Sequence, residues 1–447
     1  MLLPRNAHRL HWLFFFLLFG LSAYLRHFAF FLPSNIGDSP TYQALAMKMD
    51  RGFMQHYDIY HYRIIQRPEK VLVDYVWEDN PALWNSHRTR IIYRLPLHIQ
   101  PPLYPTLIWI SHNIFQPEAP YSSVAANFGR RVVSHPPWDL AKAQFYAIFV
   151  SFFFSLGTLA LAYLFCLRFF SFREGLLTVA ILATSPVDIA VGTKLYADGV
   201  LSFLTFLSLF LYFLSLDRKG SKAILLASLA GLSLGLAYLT KVSGILFAFG
   251  FLVATIFHPK FLVERLNSVL LLIAGTAALA VASPWLALNY HYYGSIFAGT
   301  PADPGNSWYR YVFGRPLRAY PLGLFWFAPP LLAGIVAGLA SLAAPRRRWR
   351  EFTLFAMAVF YMAMFMVFAR TGTAGVEDRY LLPIYPLLAV LAGVGLVAVI
   401  QRIPGRHLRK AAYGLLILGL LASAARSAEI GLSYSFRAMV VFKPFGY

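Results

Sequence analysis

The stretch "SNIGDSPTYQALAMKM", Ser34 to Met49, places Asp38 where the first long apolar run ends. Ser39 suits an N-cap and Pro40 the first helical position, so a helix is expected to start directly after Asp38. The dipole of that helix and its unsatisfied N–H groups favour the ionised carboxylate. Such a carboxylate can accept a proton from a reacting hydroxyl, although a plain capping residue has the same local spacing. Three other stretches carry charge to span ends. "TKLYADGVLSF" sets Lys194 and Asp198 four residues apart, which a simple i,i+4 ion pair also explains. "GLSLGLAYLTKVSGILF" interrupts an apolar hairpin with Lys241, which snorkelling to lipid headgroups also explains. "GVEDRYLLPIYP" gathers Glu377, Asp378, Arg379 and Tyr380, as an interfacial anchor of mutually neutralising charges would. Carboxylates suited to proton transfer and cations suited to a developing anion thus recur in four distant stretches, and their convergence is the functional signal.

The elements that must position these groups are membrane helices. Of 447 residues, 58% are hydrophobic and 13% charged, and the mean hydropathy is +0.58, a balance foreign to soluble globular chains. Apolar windows of about 17 to 25 residues recur throughout, each able to cross about 30 Å of hydrocarbon as a helix. Barrel strands would alternate in polarity instead. Spans are expected near 10–32, 143–167, 175–191, 198–216, 222–239, 242–258, 267–288, 320–343, 351–369, 381–400 and 411–431. The fold class is therefore an all-α polytopic membrane protein with roughly eleven transmembrane helices. The first window opens with Arg5 and Arg9, lacks a small-residue cleavage site and reads as a retained span. The single cysteine, Cys166, falls inside an expected span and excludes an internal disulfide.

The formal net charge of +20 is divided among short loops rather than gathered into one stripe, which argues for membrane orientation and against nucleic acid. With a cytoplasmic N-terminus, "FFSFREG", "DRKGSK", "HPKFLVERLN", "APRRRWRE" and "QRIPGRHLRK" all lie inside. The four charged stretches then share the outer face. The outer loop over 33–142 is too long for a connector and too rich in Arg, His, Tyr, Trp and Pro for a linker. In its first helix Tyr42, Leu45, Ala46, Met49 and Phe53 share a face expected to lie apolar side down on the membrane surface. "PPLYPTLIWISHNIF", Pro101 to Phe115, is expected to form a second interfacial or re-entrant helix. Tyr57, Tyr60, Tyr62, Trp77 and Trp84 could stack on sugar faces, but an interfacial aromatic belt accounts for most of them. Without internal repeats, the organisation is one membrane domain over 1–447 with the loop 33–142 set between the first and second spans.

The Asp at the end of the first span followed by "SPTYQALA", the "GLSLGLAYLTKVSGILF" hairpin, "SPWLALNYHYYGSIF" and "DRYLLPIYP" carry a resemblance. In this order they resemble the polyprenyl-phosphate-sugar-dependent glycosyltransferases of the GT-C type. Within these they look most like the bacterial relatives of protein O-mannosyltransferases and of the lipid A aminoarabinose transferase (glycosyltransferase families 39 and 83). The resemblance implies a GT-C-like fold in the bacterial inner membrane with an extracytoplasmic active site. It implies inverting transfer of a sugar from a polyprenyl-phosphate-linked donor, entering from the lipid bilayer, to a hydroxyl of a cell-envelope acceptor: glycolipid, polysaccharide or protein. Asp38 matches the family's first-loop catalytic aspartate and would act as general base. Arg379, Lys241 and Lys194, in that order, are the candidates for holding the donor phosphate. Asp198, Glu377, Asp378, Tyr380 and Tyr42 would support the site or face the acceptor. Ser39 stands where some relatives carry a second acid, which argues against a tight two-carboxylate or metal site. No metal ligand is assigned and no cofactor is firmly implied, with a divalent metal left open.

Other classes predict other features. A polymerase or ligase using a diphosphate-linked donor should show more outer-loop arginines or a metal-binding acidic set. A transporter should show charges near span centres and paired broken helices, whereas the central parts of these spans are nearly free of ionisable groups. A noncatalytic membrane scaffold fits the spans equally well, and a transfer assay separates it from an enzyme.

Overall fold

A computed structural model describes residues 5–27, 42, 45–46, 49–51, 60–67, 70–77, 89–94, 100–115, 137–192, 194–259, 266–293, 296, 329–368 and 378–432. Helix α1 (Arg5–His27) leads into the first loop, which holds three strands and helix α2 (Leu103–Phe115). Helices α3 (Pro137–Phe169), α4 (Phe172–Thr184), α5 (Pro186–Gly192), α6 (Asp198–Leu216) and α7 (Gly220–Thr240) follow. A 3₁₀ turn, Val242–Phe247, opens α8 (Ala248–Phe257), and α9 (Leu266–Tyr293), α10 (Pro329–Ser341) and α11 (Trp349–Phe368) come next. A second 3₁₀ turn, Asp378–Ile384, opens α12 (Tyr385–Arg402), and α13 (Arg406–Leu432) closes the order. Among the described residues, a helix overlaps each expected span. Among the described residues, six are by themselves long and apolar enough to cross a membrane.

The largest core cluster joins α3, α4, α6, α8, α11 and α12, with Tyr163, Phe165, Phe206, Tyr212 and Tyr385 fully buried. Helices α7 and α9 approach closely because small residues line their seam: a Cβ on Gly235 would lie 2.7 Å from the Ala278 carbonyl oxygen. At the end of the bundle away from the first loop, Arg350 holds both carboxylate oxygens of Asp217 at 2.8 and 2.9 Å. Arg168 approaches the same carboxylate at 3.5 Å, so this basic end is tied across α3, α6 and α11. Helix α13 leaves Leu415, Leu418 and Leu421 largely exposed, as a lipid-facing helix would.

Two features depart from the helical reading. The first loop contains an antiparallel sheet of order β2-β1-β3, with β1 at Tyr60–Arg67, β2 at Lys70–Trp77 and β3 at Thr89–Arg94. These segments are rich in β-branched and aromatic residues, but at six to eight residues they are too short to register in a search for membrane-length windows. Their register sets Tyr60 opposite Trp77, and Tyr62 opposite both Tyr75 and Tyr93. The second departure is in the expected span 175–191, which is broken between Thr184 and Pro186 into α4 and α5. Pro186 has no N–H to give the Leu182 carbonyl and disfavours helical backbone at Ser185, whose ψ is 117°.

Candidate active site

The end of the bundle facing the first loop collects most of the charged stretches. Lys241 follows α7 with an extended backbone (φ −157°, ψ 134°), which ends the helix there. The turn after it folds back on α7 so tightly that a Cβ on Gly244 would sit 2.6 Å from the Ala237 carbonyl carbon. Lys241 is thereby held beside the first turn of α6, where its Nζ donates to Asp198 Oδ1 at 2.9 Å. Asp198 is buried, at 2% exposure, and its carboxylate sits favourably at a helix N-terminus.

This pairing corrects two sequence readings. Lys194 and Asp198 do not form the i,i+4 ion pair, because Lys194 precedes α6 in non-helical backbone and the carboxylate is engaged by Lys241 instead. Lys241 in turn is held by an anion of the protein rather than by headgroups alone. Among the described residues no carboxylate pairs with Lys194, which is half-buried. Burial pushes its ammonium down to about 8.

The residues after Lys194 pack beneath the first loop. Leu195 and Ala197 share a cluster with Tyr42, Ala46, Tyr104 and Ile108. The Tyr42 and Tyr104 rings meet edge to face at 4.8 Å. Tyr104 Oη and Ser151 Oγ share a hydrogen bond of 2.7 Å, and Ser151 Oγ donates to the Tyr196 carbonyl at 3.4 Å. Leu45 and Met49 enter a neighbouring cluster with Tyr238, Ala282 and Trp285. The face of Tyr42, Leu45, Ala46 and Met49 therefore packs against α2, α7, α9 and the segment before α6, and not on the membrane surface as expected. Protein apolar surface competes with lipid for such a face, and here it wins at all four positions, each at 5% exposure or less. Phe53 lies outside the described residues. Helix α2 divides its surface, burying Tyr104 and Ile108 and exposing Ile110, Ile114 and Phe115.

The Asp378–Ile384 turn packs on α5 and α6, and Ser202 Oγ donates to the Leu382 carbonyl at 3.2 Å. This brings the backbone of Asp378, Arg379 and Tyr380 to the same end as Lys194, Asp198 and Lys241. Asp38 and Glu377, together with the side chains of Asp378, Arg379 and Tyr380, lie outside the described residues. Among the described residues, no group of three or more His, Cys, Asp or Glu is arranged to hold a metal ion.

Sequence reasoning missed a charged pair inside the helices. Arg26 of α1 is fully buried, and its Nη2 contacts Asp188 Oδ2 of α5 at 2.5 Å. Both charges lie away from the centres of their expected spans, and each finds its partner only when α1 and α5 are packed together. The usable signal was one arginine and one aspartate in separate apolar runs, since charges at membrane depth pair with one another. Asn289 of α9 was also missed: it is buried, and its Oδ1 has no hydrogen-bond partner among the described residues.

Comparison with known proteins supplies the context for this arrangement. Residues 140–288 match the family model described as dolichyl-phosphate-mannose-protein mannosyltransferase. No curated protein sequence matches the chain. Among solved structures, ArnT from Cupriavidus metallidurans bound to undecaprenyl phosphate aligns at a TM-score of 0.56 and 14% identity, over 99% of this chain and 78% of that one. The archaeal oligosaccharyltransferase AglB from Archaeoglobus fulgidus, in complex with an inhibitory peptide and a dolichol-phosphate, aligns at 0.60 and 13% identity, over 95% of this chain and 56% of that one. The likeness extends over nearly the whole chain, and the matched sequence region spans α3 to α9, including Lys194, Asp198 and Lys241. Residues 140–288 thus match that family model, and the chain shares its fold with ArnT and AglB.

Proposed function

We propose that the chain transfers a sugar, with inversion, from a polyprenyl-phosphate donor to a hydroxyl of a cell-envelope acceptor on the outer face of the bacterial inner membrane. The observation that carries this reading is Lys194, a half-buried cation with no carboxylate partner among the described residues, beside the buried Tyr42 face that follows Asp38 in the chain. An ammonium in a partly dry setting suits an incoming phosphate. The polyprenyl phosphates bound to ArnT and AglB, which share the fold, support the same donor class. Asp38 takes the acceptor proton, while Arg379 and Lys194 stabilise the departing lipid phosphate. Lys241 contributes mainly by fixing Asp198. Asp378, Tyr380 and Glu377 are assigned to the acceptor. The organisation remains one membrane domain with the loop 33–142 as its outer cover. The reading is tested with purified protein in nanodiscs, a radiolabelled polyprenyl-phosphate sugar and an envelope extract as acceptor. Transfer of label is the expected result, and transfer only from diphosphate-linked donors would favour the polymerase or ligase instead.

Two further outcomes are expected. Cys166 is buried, so the parent protein offers little background to an aqueous maleimide. A Ser86→Cys variant should label from the outer side of intact cells, and labelling only after the cytoplasmic side is opened would overturn the orientation. The second outcome is a pH dependence. In the donor-free protein Lys194 is charged below about 8 and neutral above it, against an ordinary value of 10.5. Donor kcat/KM should therefore fall as pH rises through about 8. Lys194→Arg keeps its charge throughout and should remove that decline. A parent and Arg variant with the same pH profile would take Lys194 out of the phosphate site.

A further inference from the structure

The buried Arg26 makes five hydrogen bonds, one for each guanidinium N–H. Nε donates to Ser155 Oγ of α3 at 2.9 Å. Nη1 donates to Ser22 Oγ, and to the Ser22 carbonyl at 3.4 Å, within α1. Nη2 reaches Asp188 Oδ2 of α5 and the Leu182 carbonyl of α4, at 2.5 and 3.5 Å. The Leu182 carbonyl is the one that Pro186 leaves without its usual helical donor. Two residues later in the break, the Asp188 N–H turns to Ser185 Oγ at 3.4 Å, and the Thr184 carbonyl instead accepts from Ser423 and Ser427 of α13 at 2.6 and 2.8 Å. The Leu182 carbonyl also accepts from the Ser185 N–H at 3.3 Å, so the break is closed partly by Ser185 and partly by α1 and α13, and the guanidinium joins four helices at one point.

Stability alone is a weak reason to keep such a pair, because well-packed apolar residues of similar volume often serve as well or better. What the ion pair adds is a unique position for α5. Helix α5 packs against α6 and the Asp378–Ile384 turn, and its last residue, Gly192, lies two residues before Lys194. Little room exists for slippage there, since a Cβ on Gly192 would lie 2.9 Å from Ser155 Oγ and 3.2 Å from Asp188 Oδ1. The same Ser155 and Asp188 that hold Arg26 therefore also bound the exit of α5 toward Lys194.

The geometry points to Arg26 and Asp188 as positioning residues for the anion-binding end of the molecule: the clamp sets α5, and α5 sets Lys194 and the turn bearing Arg379. This rests on the donor-phosphate reading above. Neither residue touches the lipid phosphate; both act through the segments that do. Loss of the clamp should weaken donor binding, with KM for donor rising and kcat changing less, in a protein that is still folded.

The decisive variant is the double replacement Arg26→Met with Asp188→Leu, which removes both charges without orphaning either. The probe is a short-chain polyprenyl phosphate, titrated by calorimetry into the protein in nanodiscs. The parent is expected to bind, and the double variant is expected to keep the parent melting temperature while binding about tenfold more weakly, with a matching rise in donor KM. Equal affinity in a folded double variant would overturn the positioning role alone. Failure of the parent to bind the probe would overturn the donor-phosphate reading and this role with it. Should the double variant not fold, Asp188→Asn retains an acceptor oxygen for Arg26 and removes the charge. Its monodisperse fraction should bind the probe several-fold more weakly, and parent affinity there would equally overturn the proposal.

Discussion

Asp38→Asn should lower sugar transfer by roughly 10² to 10⁴-fold while expression, detergent stability and donor binding stay near the parent. Asparagine keeps the size of the side chain and most of its capacity to cap a helix, but it cannot take the proton of an attacking hydroxyl. A cap and a base therefore respond differently to the same substitution. The general base works despite a carboxylate pKa far below that of an alcohol, because the proton moves as the bond to the anomeric carbon forms. Chelation in the same preparation separates a third role: activity lost with a chelator and restored by a divalent ion would make Asp38 a ligand. Near-parent turnover in the Asn variant would remove Asp38 from the chemistry. Glu377 would then be the first alternative, since Asp198 is already committed to Lys241.

Arg26→Ala should be among the most destabilising single substitutions in the described part of the chain. It leaves the Asp188 carboxylate buried without its cation, returns the Leu182 carbonyl to partial satisfaction and opens a cavity between α1 and α5. Removing one member of a buried ion pair typically costs about 3–5 kcal/mol, because the remaining charge keeps its desolvation cost and loses its partner. Ser155→Ala, which removes only the Nε acceptor, should cost about 1 kcal/mol. Thermal unfolding in detergent reads both, and the expected order is parent, then Ser155→Ala, then Arg26→Ala with a much lower Tm. A parent-like Tm for Arg26→Ala would mean that water or lipid headgroups reach Asp188, and the clamp would lose its physical basis.

The sequence by itself determined the class of the protein and the position of its helices. Long apolar windows leave a chain in lipid few options, since every backbone group must be bonded internally, and so a described helix falls within each window from 10–32 to 411–431, although Pro186 breaks the one over 175–191. It also singled out Lys194, Asp198, Lys241 and the 378–380 stretch, because charges at span ends stand out against apolar neighbours. Which cation meets which carboxylate was not legible. Local spacing favoured Lys194 with Asp198, four residues apart, whereas tertiary packing brought Lys241 from 43 residues away and left Lys194 unpaired by any carboxylate among the described residues. The same holds for Arg26 and Asp188, separated by 162 residues and passed over in the sequence, which meet only because α1 is laid against α5. The face of Tyr42, Leu45, Ala46 and Met49 was legible as apolar, but only the fold decided that protein rather than lipid would cover it. Periodicity reports that a side chain must be buried or a charge compensated. It does not name the partner, because in a bundle that choice is made by contacts between helices far apart in the chain.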